Sequence, residues 1–246
     1  NRFVINVQPD QAQDFRTTLQ AAGVARYDWY PMFRGRLVAI NGKPVEEGSY
    51  EDERAQRLVE REFNLSNSAV QPPHNLVVAG EWKEGEAGAI SVEDGLAKTL
   101  GLKLGDQLRF DMGGVQSEAR ITSLRKVDWG SLHANFFVMY PVDAMPDVAI
   151  TYLAAYRAPE TPGFDNALVR RFPNVTNVDM GATLAQIQGV LDQVIRAVEF
   201  LFAFTLAAGL VVLFAAVTAT REERAREFAI MRALGAGSGL LRQVQR

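Results

Sequence analysis

The sequence predicts an α+β domain outside the cytoplasm, followed by one long helix that serves first as a stalk and then as a membrane span. Three observations predict it. Two strand–helix–strand units, at residues 3–41 and 149–178, stand about a hundred residues apart and read as two parts of one split domain. A turn-rich, β-rich insertion runs between them, over residues 42–147. Residues 200–220 (FLFAFTLAAGLVVLFAAVTAT) carry no charge, and as a helix they are about 30 Å long, the thickness of a bilayer's hydrocarbon core.

In chain order, residues 3–7 read as a strand. Pro9 and Asp10 open a helix over residues 10–22, with Phe15 and Leu19 four apart, and Gly23 ends it as the residue beyond the cap. Residues 24–32 and 36–41 read as two further strands, and Asn41-Gly42 is a turn signal. The matching unit begins with a β-rich run at 149–156. A helix follows at 161–172, Pro173 ends it, and residues 175–178 read as a strand.

Within the insertion, residues 51–63 (EDERAQRLVEREF) predict a helix with a thin apolar face. Pro72-Pro73 punctuates the chain, and residues 76–80 form a strand. Residues 91–100 (SVEDGLAKTL) predict a short helix with Ser91 as its cap, Asp94 at the capping-box position and Gly101 closing it. Glu93 and Asp94 suit the positive end of that helix. Residues 103–129 read as a hairpin with Gly113-Gly114 in its turn, and residues 135–140 as another strand.

Residues 181–199 place Leu184, Ile187, Val190, Leu191, Val194, Ile195 and Val198 at helical spacing. No proline separates them from the apolar run, so a stalk helix continuous with the span is expected, reaching as far as Leu234. Arg196 is the lone basic residue in 181–199, whereas Arg221, Arg224, Arg226, Arg232, Arg242 and Arg246 follow the span. Positive charge stays on the cytoplasmic side, which puts residues after 220 inside and those before 200 outside.

The net charge of −3 gives no basic excess and argues against nucleic acid as a partner. The absence of cysteine says little, because a domain of this size buries a core without disulfides. Asn1 opens directly on a strand pattern, and the chain reads as part of a longer one. No Walker A sequence or G-x-S-x-G elbow is present, so neither ATP hydrolysis nor acyl-transfer chemistry is expected of this chain. The GAGSG run at 235–239 lacks the third glycine of a dinucleotide fingerprint and follows a helix rather than a strand. His74 and His133 lie far apart in sequence without a cysteine, which does not suggest zinc. Ser131, in the run Asp128-Trp129-Gly130-Ser131, reads as a loop residue. Trp29, Tyr30, Met32 and Phe33 cluster in sequence. Core packing is the simplest reading, and contact with an apolar ligand or lipid the alternative.

The run REERAREFAIMRALGA, residues 221–236, directly after a span, resembles the cytoplasmic signature of FtsX/MacB/LolC-type (type VII) ABC transporter permeases. VEDGLAKTLGLKLGD, residues 92–106, resembles their periplasmic domain. RGRLVAING, REFNLS, NLVVAGEW and SLRKVDWGS with NFFVMYP resemble the YbbP-type subgroup. The resemblance implies a periplasmic α+β domain whose porter subdomain is split into residues 1–41 and 148–180. The β-rich insertion 42–147 would be the Sabre subdomain, residues 181–199 the stalk, 200–220 the span, and 221–246 a cytoplasmic helix leading to a coupling helix. It implies a bacterial inner-membrane protein that is itself non-catalytic, holds no cofactor, and pairs with a cytoplasmic ABC ATPase that binds ATP and Mg2+. Motion would pass to the periplasm by mechanotransmission, to extract or export hydrophobic, lipid-like compounds. A periplasmic TesA-type lysophospholipase is the further implied partner. One span is fewer than such a permease has. The competing reading is a single-span extracytoplasmic sensor.

On this reading residues 221–234 extend the membrane helix into the cytoplasm. Glu223, Glu227, Phe228, Met231, Arg232, Leu234, Gly235 and Ala236 would couple it to the ATPase, and residues 238–244 would begin the coupling helix. Gly235, Gly237 and Gly239 supply the turn.

Overall fold

The computed structural model describes residues 1–234, which fall into two units, 1–183 and the helical remainder from Leu184. In chain order the first unit contains β1 (Arg2–Val7), a 3-10 turn (Pro9–Gln11), α1 (Ala12–Ala21), β2 (Tyr27–Ile40), β3 (Lys43–Pro44) and α2 (Glu53–Glu60). Next come β4 (Phe63–Asn67), β5 (Leu76–Gly80), β6 (Ala89–Glu93), α3 (Asp94–Leu100), β7 (Gln107–Met112), β8 (Val115–Lys126) and β9 (Val138–Tyr140). It ends with β10 (Thr151–Tyr156), α4 (Phe164–Arg171), β11 (Thr176–Asp179) and the start of α5 (Met180–Ala233).

The split domain is a four-stranded antiparallel sheet in the order β11-β1-β10-β2. Val4 and Val7 share a face although they are three apart, because the register shifts between them, with Asn6 at φ 68°; both pack with Phe15 and Leu19 of α1 and Leu168 of α4. Phe3 and Ile5 go to the other face and meet Tyr30, Met32, Leu153, Phe136 and Met139. The chain's beginning and the segment after the insertion are therefore needed together: β1 has only β10 and β11 as partners among the described residues.

The insertion closes into a barrel together with the second half of β2. Pairings run β2-β4, β4-β9, β9-β6, β6-β8, β8-β7 and β7-β2, which returns to the start. Closure removes the exposed strand edges an open sheet would present. Phe33, Leu37, Phe63, Leu65, Ile90, Leu108, Phe110 and Ile121 belong to its core, to which α2 adds Ala55 and Val59 and α3 adds Leu96 and Leu100. Gly35 shows how tight the interior is. A Cβ there would lie 2.5 Å from Cδ1 of Leu65 and 3.2 Å from Cγ of Met112, so any larger residue must push the buried Leu65 side chain aside.

Four expectations change. The strands expected at 24–32 and 36–41 are one strand, β2, because Pro31 and Gly35 sit where it passes from β10 to its barrel partners β4 and β7. The helix expected over 51–63 ends at Glu60, and Phe63 opens β4, with Phe63 and Leu65 buried on either side of exposed Asn64. Ser91 is not a helix cap: it lies within β6, and Glu93 caps α3 by accepting from the Leu96 N–H at 2.6 Å. The strand expected at 135–140 shortens to β9. The turn after β2 is as expected, with Asn41 at φ 50° and Gly42 at φ 76°.

Arg125, on β8, is fully buried. A register shift between Ile90 and Ser91 of β6 lets Leu124 join the barrel core, so Arg125 faces the other way. Its Nε donates to Ser91 Oγ at 2.9 Å and its Nη1 to Asn75 Oδ1 at 2.5 Å. Its Nη2 donates to the carbonyls of Phe136 (2.9 Å), Phe137 (3.3 Å) and Ser91 (3.4 Å). Burial pulls its pKa down to about 10, against the attraction of Glu93, and the group stays charged at neutral pH.

Two outcomes are expected. Residues 1–183, expressed alone, should unfold in one cooperative transition without binding ANS, since both layers are complete within that unit; a molten, ANS-binding product would contradict it. Arg125→Ala should lower the unfolding free energy by about 3 kcal/mol in urea titrations, because it removes the donor partner of Asn75, the Ser91 hydroxyl and three carbonyls.

Candidate functional site

α5 is one unbroken helix of 54 residues, roughly 80 Å long, and none of its residues is buried. By length and composition it can cross a membrane. Phe200, Phe202 and Phe214 are each 70 % exposed or more. Stalk, span and charged extension, read as three segments of sequence, are one element to Ala233.

The first turn of α5 is anchored. Asp179 Oδ1 accepts from the N–H groups of Gly181 (2.9 Å) and Ala182 (3.2 Å), which caps the helix. Arg2 Nη1 lies 2.8 Å from the same oxygen, and Arg2 Nη2 lies 2.8 Å from Asp165 Oδ2. The N–H of Met180 donates to the Asn1 carbonyl at 3.1 Å. One arginine of β1 thus ties the helix start to α4. The hydrogen bond and charge of Arg2, helped by Asn177, hold the Asp165 carboxyl below its ordinary range.

Glu223, Glu227, Phe228, Met231 and Arg232 all lie on α5, with Leu234 just beyond it. At about 100° per residue, Glu223, Glu227, Met231 and Leu234 fall within roughly 80° of one another, while Arg232 points to the opposite side. Phe228 and Met231 are half-buried and the other four are exposed. Gly235, Ala236, Gly237, Gly239 and the helix expected at 238–244 lie outside the described residues.

The aromatic run on β2 is divided among three cores. Trp29 stacks on Tyr152 with centroids 4.8 Å apart and belongs with Phe15. Tyr30 and Met32 face Phe136. Phe33 is buried in the barrel. Met32 and Phe33, with Arg34, Ile5 and Thr151, line a cavity of about 400 Å3 that Trp29 and Tyr30 do not reach. Ser131 closes a turn, its hydroxyl donating to the Asp128 carbonyl at 2.7 Å.

Two features had no sequence signal. A cleft of about 780 Å3 beside α2 and α3 gathers Arg54, Arg57, Arg61, Lys98, Trp129 and Phe137. Arg61 stands 5.8 Å from the Phe137 ring centroid, and Trp129 packs on Phe137 at 4.6 Å. Guanidinium groups beside half-exposed Trp129 can receive a molecule with an anionic end and an apolar body. Elsewhere, His74 and His133 stack with centroids 4.5 Å apart, next to Asp28 of β2. Strand order, not spacing, brings these three together.

No protein-family model matches the chain. Over 243 residues, 98 % of its length, it is 39 % identical to an Escherichia coli (strain K12) protein called uncharacterized ABC transporter permease YbbP. The chain is homologous to part of an ABC transporter permease. It spans 29 % of that permease's length, and the match covers both the folded unit and the span. A crystallised domain described as that of a permease protein from Porphyromonas gingivalis aligns over 72 % of this chain and 87 % of its own, at TM-score 0.35 and 12 % identity, too low to bear on the fold.

Asp165 sets an acid dependence. Its folded pKa is depressed, so its contribution is present above the unfolded value and is lost as pH falls through the folded one, below about pH 4. Because its side chain is 39 % exposed, solvent screening holds the effect under about 1 kcal/mol. Asp165→Asn should unfold more easily than the parent at pH 7, and the difference in urea midpoint should shrink by about pH 3.

Proposed function

We propose that this chain is the periplasmic domain and adjoining membrane helix of an inner-membrane permease subunit, working with a separate cytoplasmic ATPase that binds ATP and Mg2+. In this reading residues 1–41 and 148–180 form the porter subdomain and the insertion 42–147, whose barrel closes on β2, the Sabre subdomain. The subunit is non-catalytic. ATP-driven motion passes along α5 and changes the periplasmic domain, which extracts or exports lipid-like compounds. A TesA-type lysophospholipase is the periplasmic partner that fits this role.

The unbroken α5 carries the proposal. A helix is stiff along its axis because every interior turn is closed by i→i−4 hydrogen bonds, and this one has no proline to kink it. Its first turn is locked to the sheet through Asp179 and Arg2, so displacement of the helix loads β1 and β11 directly. Beyond the span, Glu223 and Glu227 share a side of the helix with Met231 and Leu234, while Phe228 and Arg232 lie toward the other, so both sides offer the ATPase charged and apolar groups together. The cleft at Arg61, Trp129 and Phe137 supports the lipid-like class of cargo.

The test uses the complete transporter with its ATPase. Gly189→Pro interrupts the stalk, and Arg232→Glu reverses a charge on the coupling segment. Both variants should assemble at normal level and hydrolyse ATP, with transport-linked activity reduced about tenfold or more relative to hydrolysis. Full stimulated ATPase and full transport-linked activity in both variants would overturn the coupling role of α5.

A further inference from the structure

We propose that Asp28, His74 and His133 form a binding site for one divalent transition-metal ion of the zinc class. Asp28 lies on β2, His74 in the loop before β5, and His133 in the loop before β9. One donor atom from each lies within 4.8 Å of the other two. Two imidazoles and a carboxylate suit zinc and its first-row neighbours, whereas magnesium and calcium prefer oxygen donors throughout.

Two of the three ligands are already oriented, and by a single residue. His74 Nε2 lies 2.8 Å from the Ala134 carbonyl, and a carbonyl can only accept, so Nε2 carries the proton. That tautomer leaves a lone pair on Nδ1, which is buried and has no hydrogen-bond partner. A histidine whose second nitrogen donates to a backbone carbonyl is the arrangement that metal sites use to fix a ligand ring. The N–H of the same Ala134 donates to Asp28 Oδ2 at 2.8 Å and holds the carboxylate. An orphaned buried imidazole nitrogen is costly in a structural histidine and is what a ligand requires.

His133 is the adjustable member. Its Nδ1 is 3.0 Å from Asp28 Oδ2 and its side chain is 52 % exposed. The two rings lie 12° from parallel, and an ion must sit in the plane of each ring that binds it. His133 therefore turns out of the stack on binding, a motion its exposure permits. Protein groups then fill three positions, and water completes the shell. The ion joins β2 to both loops, next to Asn75 and Phe136, which Arg125 already holds.

The composition makes the test clean, because the chain has two histidines and no cysteine. The full chain, purified in detergent without a polyhistidine tag, is titrated with Zn2+ and separately with Mg2+, following melting temperature and heat of binding. One Zn2+ per chain should bind and raise the melting temperature, Mg2+ should not, and Co2+ should give the visible absorption of a low-coordinate nitrogen–oxygen site. His133→Ala, a change at an exposed ring, should melt like the parent without metal yet lose affinity for Zn2+ by about tenfold or more. Asp28→Asn should lose affinity likewise. If Zn2+ leaves the parent's melting temperature unchanged, or shifts His133→Ala as much as the parent, the site does not exist.

Discussion

A positive charge sealed away from water constrains the folded unit of this chain, residues 1–183, more than any other single contact. Removing a guanidinium from water is expensive unless every donor finds a partner, and Arg125 finds them on three separate segments. Asn75 comes from the loop after β4, Ser91 from β6, and the carbonyls of Phe136 and Phe137 from the approach to β9. None of these segments can drift without leaving the charge unpaired. The consequence reaches the histidine stack, since His74 precedes Asn75, and His133 and Ala134 lie just before Phe136. Loops that would otherwise be the most mobile part of the barrel rim are held by the requirements of one side chain.

The large divisions of the molecule were legible in sequence because they rest on local signals. The hairpin turned by Gly113 and Gly114, the helix ended by Gly101 and the long apolar run each announce themselves over a few residues. Errors arose where burial hid the pattern. β6 is buried on both faces, so Ala89 to Glu93 shows no alternation, and Ser91 beside two acids mimicked a helix cap. β4 follows α2 so closely that Arg61, Glu62 and the first residue of β4, Phe63, passed for a last helical turn. β2 carries a proline and a glycine that normally end strands, and only the barrel explains why they do not. The Asp28 cluster was invisible for a different reason: Asp28 and His74 are 46 positions apart and His74 and His133 are 59, and they meet through strand order alone.

The two parts of α5 are matched to different surroundings. In the stalk, Leu184, Ile187, Leu191, Val194 and Val198 recur at intervals of three and four, which makes a stripe with polar residues on the other side. From Phe200 the stripe widens until the helix is apolar all round, the pattern of a segment solvated by hydrocarbon. The change in pattern at Glu199 and Phe200 marks a change of solvent along a single unbroken hydrogen-bond ladder. A rod built this way keeps its register across the membrane surface, where an interrupted helix would lose it.

The split domain also dictates when the molecule can be finished. Phe3 pairs with Ala155 and Val178, so the first strand to emerge has no partner until almost the whole domain has followed it. At ordinary synthesis rates that interval is on the order of 10 s, far longer than the time in which a hairpin forms. The barrel has its own chain-local pairings and can close while β1 still waits. The sheet is therefore the last layer to assemble, and it is the layer that holds the start of α5. Until then β1 offers a bare, apolar edge to any neighbouring chain, which makes the interval between synthesis of the first strand and arrival of the tenth the period of greatest exposure to misassembly.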